Sequence, residues 1–146
     1  MEIVVANLAH LEDLATLFDG YRMFYQQPSD LAGAQQFLQA RLEEGDSTIL
    51  VAQAADELAG FTQLYPSFSS VSMKSIWILN DLFVAEAYRG RGVAKQLMTA
   101  AENFARETGA IRVGLSTQVA NRLAQALYEA RGYMRDTEFY HYSLSL

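Results

Sequence analysis

The sequence predicts an α/β fold: a single domain over residues 1–146, with a mixed central sheet of six or seven strands flanked by about four helices. Short runs of β-branched and aromatic residues alternate with segments whose apolar residues recur at helical spacing. No repeat, low-complexity tract or linker interrupts these segments, and 146 residues is a length typical of one domain. The two periodicities together predict strands and helices packed around one core.

The first part of the chain predicts one strand and two helices. Residues 2–6 are rich in β-branched side chains, which favour a strand, and residues 9–25 carry apolar side chains at helical spacing. The stretch QQPSD then ends the first helix. Ser29 or Asp30 can cap a second helix, which Gly45 ends.

A hairpin and a long apolar strand are predicted next. Residues 47–54 and 58–68 flank a short acidic turn and predict the hairpin. Residues 75–85 form the longest strand-like run, and its near-continuous apolarity indicates a central strand covered on both faces. A turn containing two glycines then leads into a helix that extends to about Thr108.

The last part of the chain predicts further strands around one helix. Residues 111–117 favour a strand, and residues 121–130 favour a helix that Gly132 ends. The closing segment, residues 133–146, alternates large side chains and predicts one or two strands. The predicted order is therefore β-α-α-β-β-β-α-β-α-β.

Composition excludes several classes of function. The net charge of −6 disfavours nucleic-acid binding, which needs clustered Lys and Arg, and suits a cationic partner. The chain has no cysteine and two histidines far apart, so no metal site is expected. No apolar run approaches the roughly 20 residues of a membrane span, and MEIVVANL lacks the basic region of a signal peptide. A cytoplasmic protein without a membrane partner is expected.

The stretch YRGRGVAKQLM has the chemistry of an anion site. A helix that follows a strand and a glycine-rich turn presents unpaired backbone N–H groups and the positive end of its dipole. Here Gly90, Gly92 and Ala94 permit close approach, and Arg89 and Arg91 add positive charge. The glycine spacing matches neither a Walker A loop nor a dinucleotide fingerprint. The turn therefore indicates a pyrophosphate site, with an ordinary surface turn as the alternative.

A second motif, NRLAQALYEARGY, places an amide and a phenol on one helix. Asn121 and Tyr128 are about 20° apart around the helix axis and roughly 10 Å apart along it. Both could face one extended ligand. Each also has an ordinary structural interpretation, since Asn commonly caps helices and Tyr commonly packs in cores.

The two motifs, R-x-x-G-x-[GA] and N-x-x-A-x-x-L-Y-x-x-x-G-[FY], occur about 30 residues apart and resemble those of the GNAT superfamily of acyl-coenzyme A-dependent N-acyltransferases. With the element order, the resemblance covers essentially the whole chain. It implies acetyl-coenzyme A as cosubstrate. It also implies a coenzyme site made of strand backbone, the glycine turn and the second motif: Leu82, Phe83, Val84, Arg89, Gly90, Arg91, Gly92, Val93, Ala94 and Asn121.

The resemblance further implies that Tyr128 is a general acid beside the thioester sulfur, and that the acceptor amine attacks directly. The base is less clearly indicated. WILNDLFV resembles the corresponding strand of polyamine and diamine acetyltransferases, which has a Glu-Asp pair where this chain has Asn80 and Asp81. Adjacent strand residues point to opposite faces, so Asp81 does not simply replace the missing acid. Ordered water, Asp81 after a bulge, or another acid could serve, and Asp81 could instead pair structurally with Lys or Arg.

The acceptor site is expected around the first two helices and the third strand, with Tyr21, Tyr25, Tyr65 and Asn80 as substrate-binding candidates. Aromatic faces bind cations, so a small amine or polyamine is the predicted acceptor. Two alternatives stay open: a coenzyme-binding sensor without turnover, and an enzyme acting on protein lysines or N-termini. The terminal strand also makes a homodimer possible by analogy with the family.

Overall fold

The computed structural model describes all of residues 1–146, and the chain divides into two compact units, Met1–Leu115 and Ser116–Leu146. The strands of the first unit are β1 (Glu2–Val5), β2 (Thr48–Gln53), β3 (Leu58–Ser69), β4 (Lys74–Val84) and β5 (Val113–Gly114). Its helices are α1 (Leu11–Phe24), α2 (Leu31–Glu44) and α3 (Val93–Glu107), and the second unit contains α4 (Arg122–Ala130). None of the helices combines the length and apolarity needed to cross a membrane.

The sheet is mixed, as predicted, but it has five strands instead of six or seven. The strand order is β1-β2-β3-β4-β5; the first four strands are antiparallel, and β5 runs parallel to β4. β4 meets β5 only where Trp77 pairs with Val113 and Ile78 with Gly114. Beyond Ile78, the β5-side edge of β4 therefore has no ladder partner.

The prediction of strands within residues 133–146 is wrong. This segment forms no strand, and its large side chains lie in solvent: Phe139, Tyr140, Tyr142, Leu144 and Leu146 are each at least 71% exposed. The strand predicted over residues 111–117 likewise shrinks to β5. Alternation describes only which face a side chain would take, whereas a strand exists through hydrogen bonds to a neighbour.

Helices cover both faces of the sheet in the first unit. The largest buried cluster joins α1 and α2 to β2 and β3, with Leu14, Leu38, Val51 and Phe61 fully buried. α3 packs on the opposite face, where a Cβ built at Gly60 would lie 3.2 Å from Leu97 Cδ1. Burial of each large apolar side chain contributes roughly 1.5–3 kcal/mol. The helices thereby fix the sheet that carries the site.

A buried carboxylate anchors the connection between α1 and α2. Asp19 is 8% exposed and accepts hydrogen bonds from Ser29 Oγ at 2.7 Å and from the Asp30 backbone N–H at 2.8 Å. These two hydrogen bonds, the Ser29 bond foremost, lower the pKa of Asp19, outweighing burial. Asp30 is the N-cap of α2, accepting from the Gly33 N–H at 2.9 Å, and Gly45 ends this helix with φ +64°, both as predicted.

Candidate active site

The glycine turn has the backbone geometry of an anion site. Gly90 and Gly92 have φ values of +76° and +78°, a region that other residues rarely adopt, and a Cβ at either would meet no atom within 4 Å. The first turn of α3 has no side-chain cap. The backbone N–H groups of residues 90–95 have no acceptor within the chain. An anion can therefore approach several free donors at the positive end of α3.

Arg89 joins this turn to the end of β4. Its Nε donates to the Val84 carbonyl at 2.9 Å. Its guanidinium carbon lies 5.4 Å from the ring centroid of Phe83 and 5.9 Å from that of Phe24. Arg91 lies over the Tyr88 ring, 5.5 Å from its centroid. Both arginines therefore place positive charge beside the turn, and Arg89 also fixes the turn to the sheet.

The end of β4 suits an extended ligand. Leu82, Phe83 and Val84 are half-buried and lie beyond the last pair between β4 and β5. A strand edge without a partner can hydrogen-bond an extended chain, although the Val84 carbonyl already accepts from Arg89. Together, the open edge and the free donors of the glycine turn suit an extended ligand that carries an anionic group.

A β-bulge at Asn80 changes the predicted relation between Asn80 and Asp81. Gln63 pairs with Asp81 while the next residue, Leu64, pairs with Leu79, so Asn80 is an extra residue on β4. Neighbouring strand side chains ordinarily point to opposite faces, but here Asn80 Nδ2 donates to Asp81 Oδ1 at 3.2 Å. The two polar side chains therefore meet at the bulge, and the identity of the general base stays a prediction.

Asp81 is held by groups that sequence reasoning did not identify. The residue is 6% exposed, and its Oδ2 accepts from Gln63 Nε2 at 2.8 Å. Its backbone carbonyl accepts from Thr62 Oγ1 at 2.7 Å. Ser47 Oγ in turn donates to Gln63 Oε1 at 2.8 Å. The available signal was the polar pair Thr62 and Gln63 between apolar residues of a buried strand segment, since buried polar groups need partners.

The tyrosine candidates occupy two environments. Burial, and then the negative charge of Asp81, raise the pKa of Tyr65 above its ordinary value, so its phenol stays protonated at neutral pH. Tyr21 packs edge-on against Phe61 and Phe83, with ring centroids 5.6 and 5.8 Å away, and Tyr25 packs edge-on against Tyr21 at 5.2 Å. The structure therefore brings Asn80 and Asp81 into contact and leaves Tyr65 within the electrostatic influence of Asp81, while Tyr21 and Tyr25 belong to an aromatic cluster.

An open cleft of about 620 Å³ lies beside this cluster, between α1, the start of β3 and the end of β4. Its walls include Phe24, Phe83 and Arg89 together with three carboxylates, Asp13, Glu57 and Glu86. No three His, Asp or Glu side chains in the chain are arranged to hold a metal ion. The cleft thus combines aromatic surface with negative charge.

The second motif lies in the second unit. Asn121 caps α4, and its Oδ1 accepts from the Ala124 N–H at 3.1 Å. Tyr128 is half-buried on the same helix, and its ring centroid lies 6.1 Å from that of Tyr133. Gly132, with φ +92°, ends the helix as predicted. The capping interpretation of Asn121 is confirmed, and the ligand roles of Asn121 and Tyr128 stay predictions.

Comparisons with family models, with known proteins and with solved structures all indicate the same family. The model of the Acetyltransferase (GNAT) family matches residues 11–133. An uncharacterized N-acetyltransferase of Bacillus subtilis, YhfO, is 50% identical over 146 residues, covering 100% of this chain and 98% of that protein. The crystal structure of a probable acetyltransferase has a TM-score of 0.94 at 48% identity, covering 100% of this chain and 98% of that one. An aminoglycoside N(6')-acetyltransferase type 1 of Salmonella enteritidis is 25% identical and covers 91% of each chain. The chain belongs to the GNAT acetyltransferase family and is an acetyltransferase that uses acetyl-coenzyme A to acetylate an amine substrate.

Proposed function

We propose that the protein acetylates the primary amine of a small cationic acceptor, a small amine or polyamine, by direct attack within a ternary complex. The observation that carries this proposal is the Asp81 carboxylate, which Gln63 and Asn80 hold at the bulge in β4. Burial, and after it the negative charge of Asp81, raise the pKa of the Tyr65 phenol. A negative charge beside an aromatic ring suits an ammonium group.

Asp81 is proposed as the general base. An alkylammonium has a pKa of about 10.4 and no lone pair, so it must lose a proton before it can attack. Each Asp81 oxygen accepts one amide hydrogen bond, from Gln63 or Asn80, and retains acceptor capacity for the proton of the substrate. The aligned carboxylate then takes the proton, directly or through one water.

The chain's own residues would hold the coenzyme at two places. The N–H groups of residues 90–95 bind its phosphates, and the backbone of Leu82, Phe83 and Val84 orients its pantetheine arm. When bound, acetyl-coenzyme A supplies the thioester carbonyl that the amine attacks. Tyr128 Oη holds the proton that the departing sulfur requires, and Asn121 is proposed to bond the pantetheine arm. No side-chain nucleophile is needed, consistent with a chain that has no cysteine.

The class of acceptor is argued from charge. The chain carries a net charge of −6, which attracts cations, and the tyrosine candidates Tyr21, Tyr25 and Tyr65 offer aromatic surface. Aminoglycosides, the substrates named for the Salmonella relative, are also cationic amines and belong among the acceptors to be tested. A cytoplasmic location and a homodimer stay predictions.

Turnover with a defined acceptor tests the proposal. The purified protein would be incubated with acetyl-coenzyme A and, separately, with polyamines, diamines, amino acids, aminoglycosides and a lysine peptide, while released thiol and acetylated product are measured. We expect turnover with cationic small amines and a loss of about 10²-fold or more in kcat for Asp81→Asn. Exclusive turnover of the peptide would refute the acceptor class. Coenzyme binding without turnover would indicate a sensor.

A further inference from the structure

Gln63 is a buried polar residue to which the sequence gives no role. It is fully buried in β3, yet both ends of its amide are paired, with Asp81 Oδ2 on one side and Ser47 Oγ on the other, each at 2.8 Å. A buried amide is costly unless its hydrogen bonds are made. Ser47 can donate or accept, whereas an ionised carboxylate only accepts. The Asp81 carboxylate therefore dictates which way the amide points.

The hydrogen bonds to Asp81 differ in their exposure to solvent. Asn80 is exposed and its bond to Oδ1 is long, at 3.2 Å, whereas the Gln63 bond is short and lies inside the protein. Thr62 is fully buried and fixes the Asp81 backbone carbonyl but does not touch the carboxylate. Gln63 is thus the main restraint on the direction of the carboxylate.

We propose that Gln63, itself anchored by Ser47, is a positioning residue that holds the Asp81 carboxylate in the orientation needed to take a proton from the acceptor amine. This inference rests on the proposed function, in which Asp81 is the base. Without the Gln63 N–H donor, the Asp81 carboxylate can rotate away from the acceptor amine. Chemistry should then slow, because a displacement of about 1 Å is enough to lower rates by as much as 10²-fold.

The test is a double-mutant cycle with kinetics. Gln63→Met keeps approximately the same shape and removes the N–H donor. Gln39→Met is the matched control, since Gln39 also donates to a carboxylate, that of Glu43 at 2.8 Å, but on the exposed surface of α2. We expect Gln63→Met to lower kcat about tenfold or more with the KM for acetyl-coenzyme A within about twofold, and Gln39→Met to leave both unchanged.

The cycle separates this inference from the proposed function. In an Asp81→Asn background, Gln63→Met should cause no further loss of kcat, because both changes act through one carboxylate. If the double variant instead shows the product of the two single losses in kcat, the positioning role of Gln63 is overturned while Asp81 remains the base. A fully active Asp81→Asn enzyme, or a wild-type protein without turnover, would refute the base or the function and the inference with it. If Gln63→Met does not fold, Ser47→Ala is used in its place. We expect it to lower kcat by a smaller factor, and to lower kcat no further when Asp81 is already replaced by Asn.

Discussion

Asp19→Asn is the change whose effect on stability the structure defines most sharply. Asp19 is buried and receives two hydrogen bonds, from Ser29 Oγ and the Asp30 N–H, on different oxygens. An asparagine keeps an oxygen that accepts from the Asp30 N–H, and its amide N–H₂ can donate to Ser29 Oγ, because a hydroxyl both donates and accepts. Both bonds to a carboxylate therefore become weaker bonds to a neutral amide, which lowers the free energy of unfolding by about 1.5–3 kcal/mol. For a chain of this length, the loss corresponds to a decrease in Tm of roughly 3–12 °C.

Urea unfolding at pH 7, followed by the fluorescence of the single tryptophan, Trp77, measures this loss directly. The matched control is Asp13→Asn, on the exposed side of the first turn of α1, where only a helix-dipole contribution of about 0.3–1 kcal/mol is at stake. The pH dependence has a defined sign. The folded pKa of Asp19 is lowered, so its stabilisation is complete above the unfolded value near 3.8 and is lost as the pH falls through the folded value.

The difference between wild type and Asp19→Asn should therefore be full at pH 7 and should shrink below about pH 4. Equal stability of Asp19→Asn and Asp13→Asn at pH 7 would show that the buried carboxylate does not anchor the α1–α2 connection. A difference that persists unchanged at pH 3 would show that its charge is not the cause.

Three further predictions concern the site. Gly92→Ala should weaken acetyl-coenzyme A binding, measured by calorimetry, at least tenfold, because φ is +78° at this position and alanine would distort the turn. The control is Gly45→Ala, at φ +64° in the cap of α2, which should change stability only. Equal affinities of the two variants for acetyl-coenzyme A would refute the role of the turn. Tyr65→Phe should gain stability relative to wild type as the pH rises above about 10. Because the pKa of Tyr65 is raised in the folded protein, the phenol contributes its full stabilisation below the pKa of the unfolded chain and loses it as the pH rises through the folded pKa. The same difference in free energy of unfolding between the two proteins at pH 8 and at pH 11 would contradict this. Tyr128→Phe should lower kcat about 10²-fold while coenzyme-dependent thermal stabilisation is retained, and an unchanged kcat would remove Tyr128 as the acid.

Local signals in the sequence determined most of the fold. Apart from β5, the helices and strands of the first unit begin and end within a few residues of their predicted positions, because Asp30, Gly45 and the glycines of the turn act on their own neighbours. The glycine turn was likewise readable, since positive φ and free helix N–H groups are properties of a short segment. The family followed from motif spacing.

The tertiary structure decided what depends on pairing between distant residues. The register between β3 and β4 pairs Asp81 with Gln63, 18 positions earlier in the chain, and the bulge in that register lets Asn80 reach the Asp81 carboxylate. The alternating pattern of residues 133–146 could not produce a strand, because a strand needs a neighbour to complete its hydrogen bonds. Side-chain type and spacing are properties of the sequence, but strand register and hydrogen-bond partners are determined only when the strands pair in the folded protein.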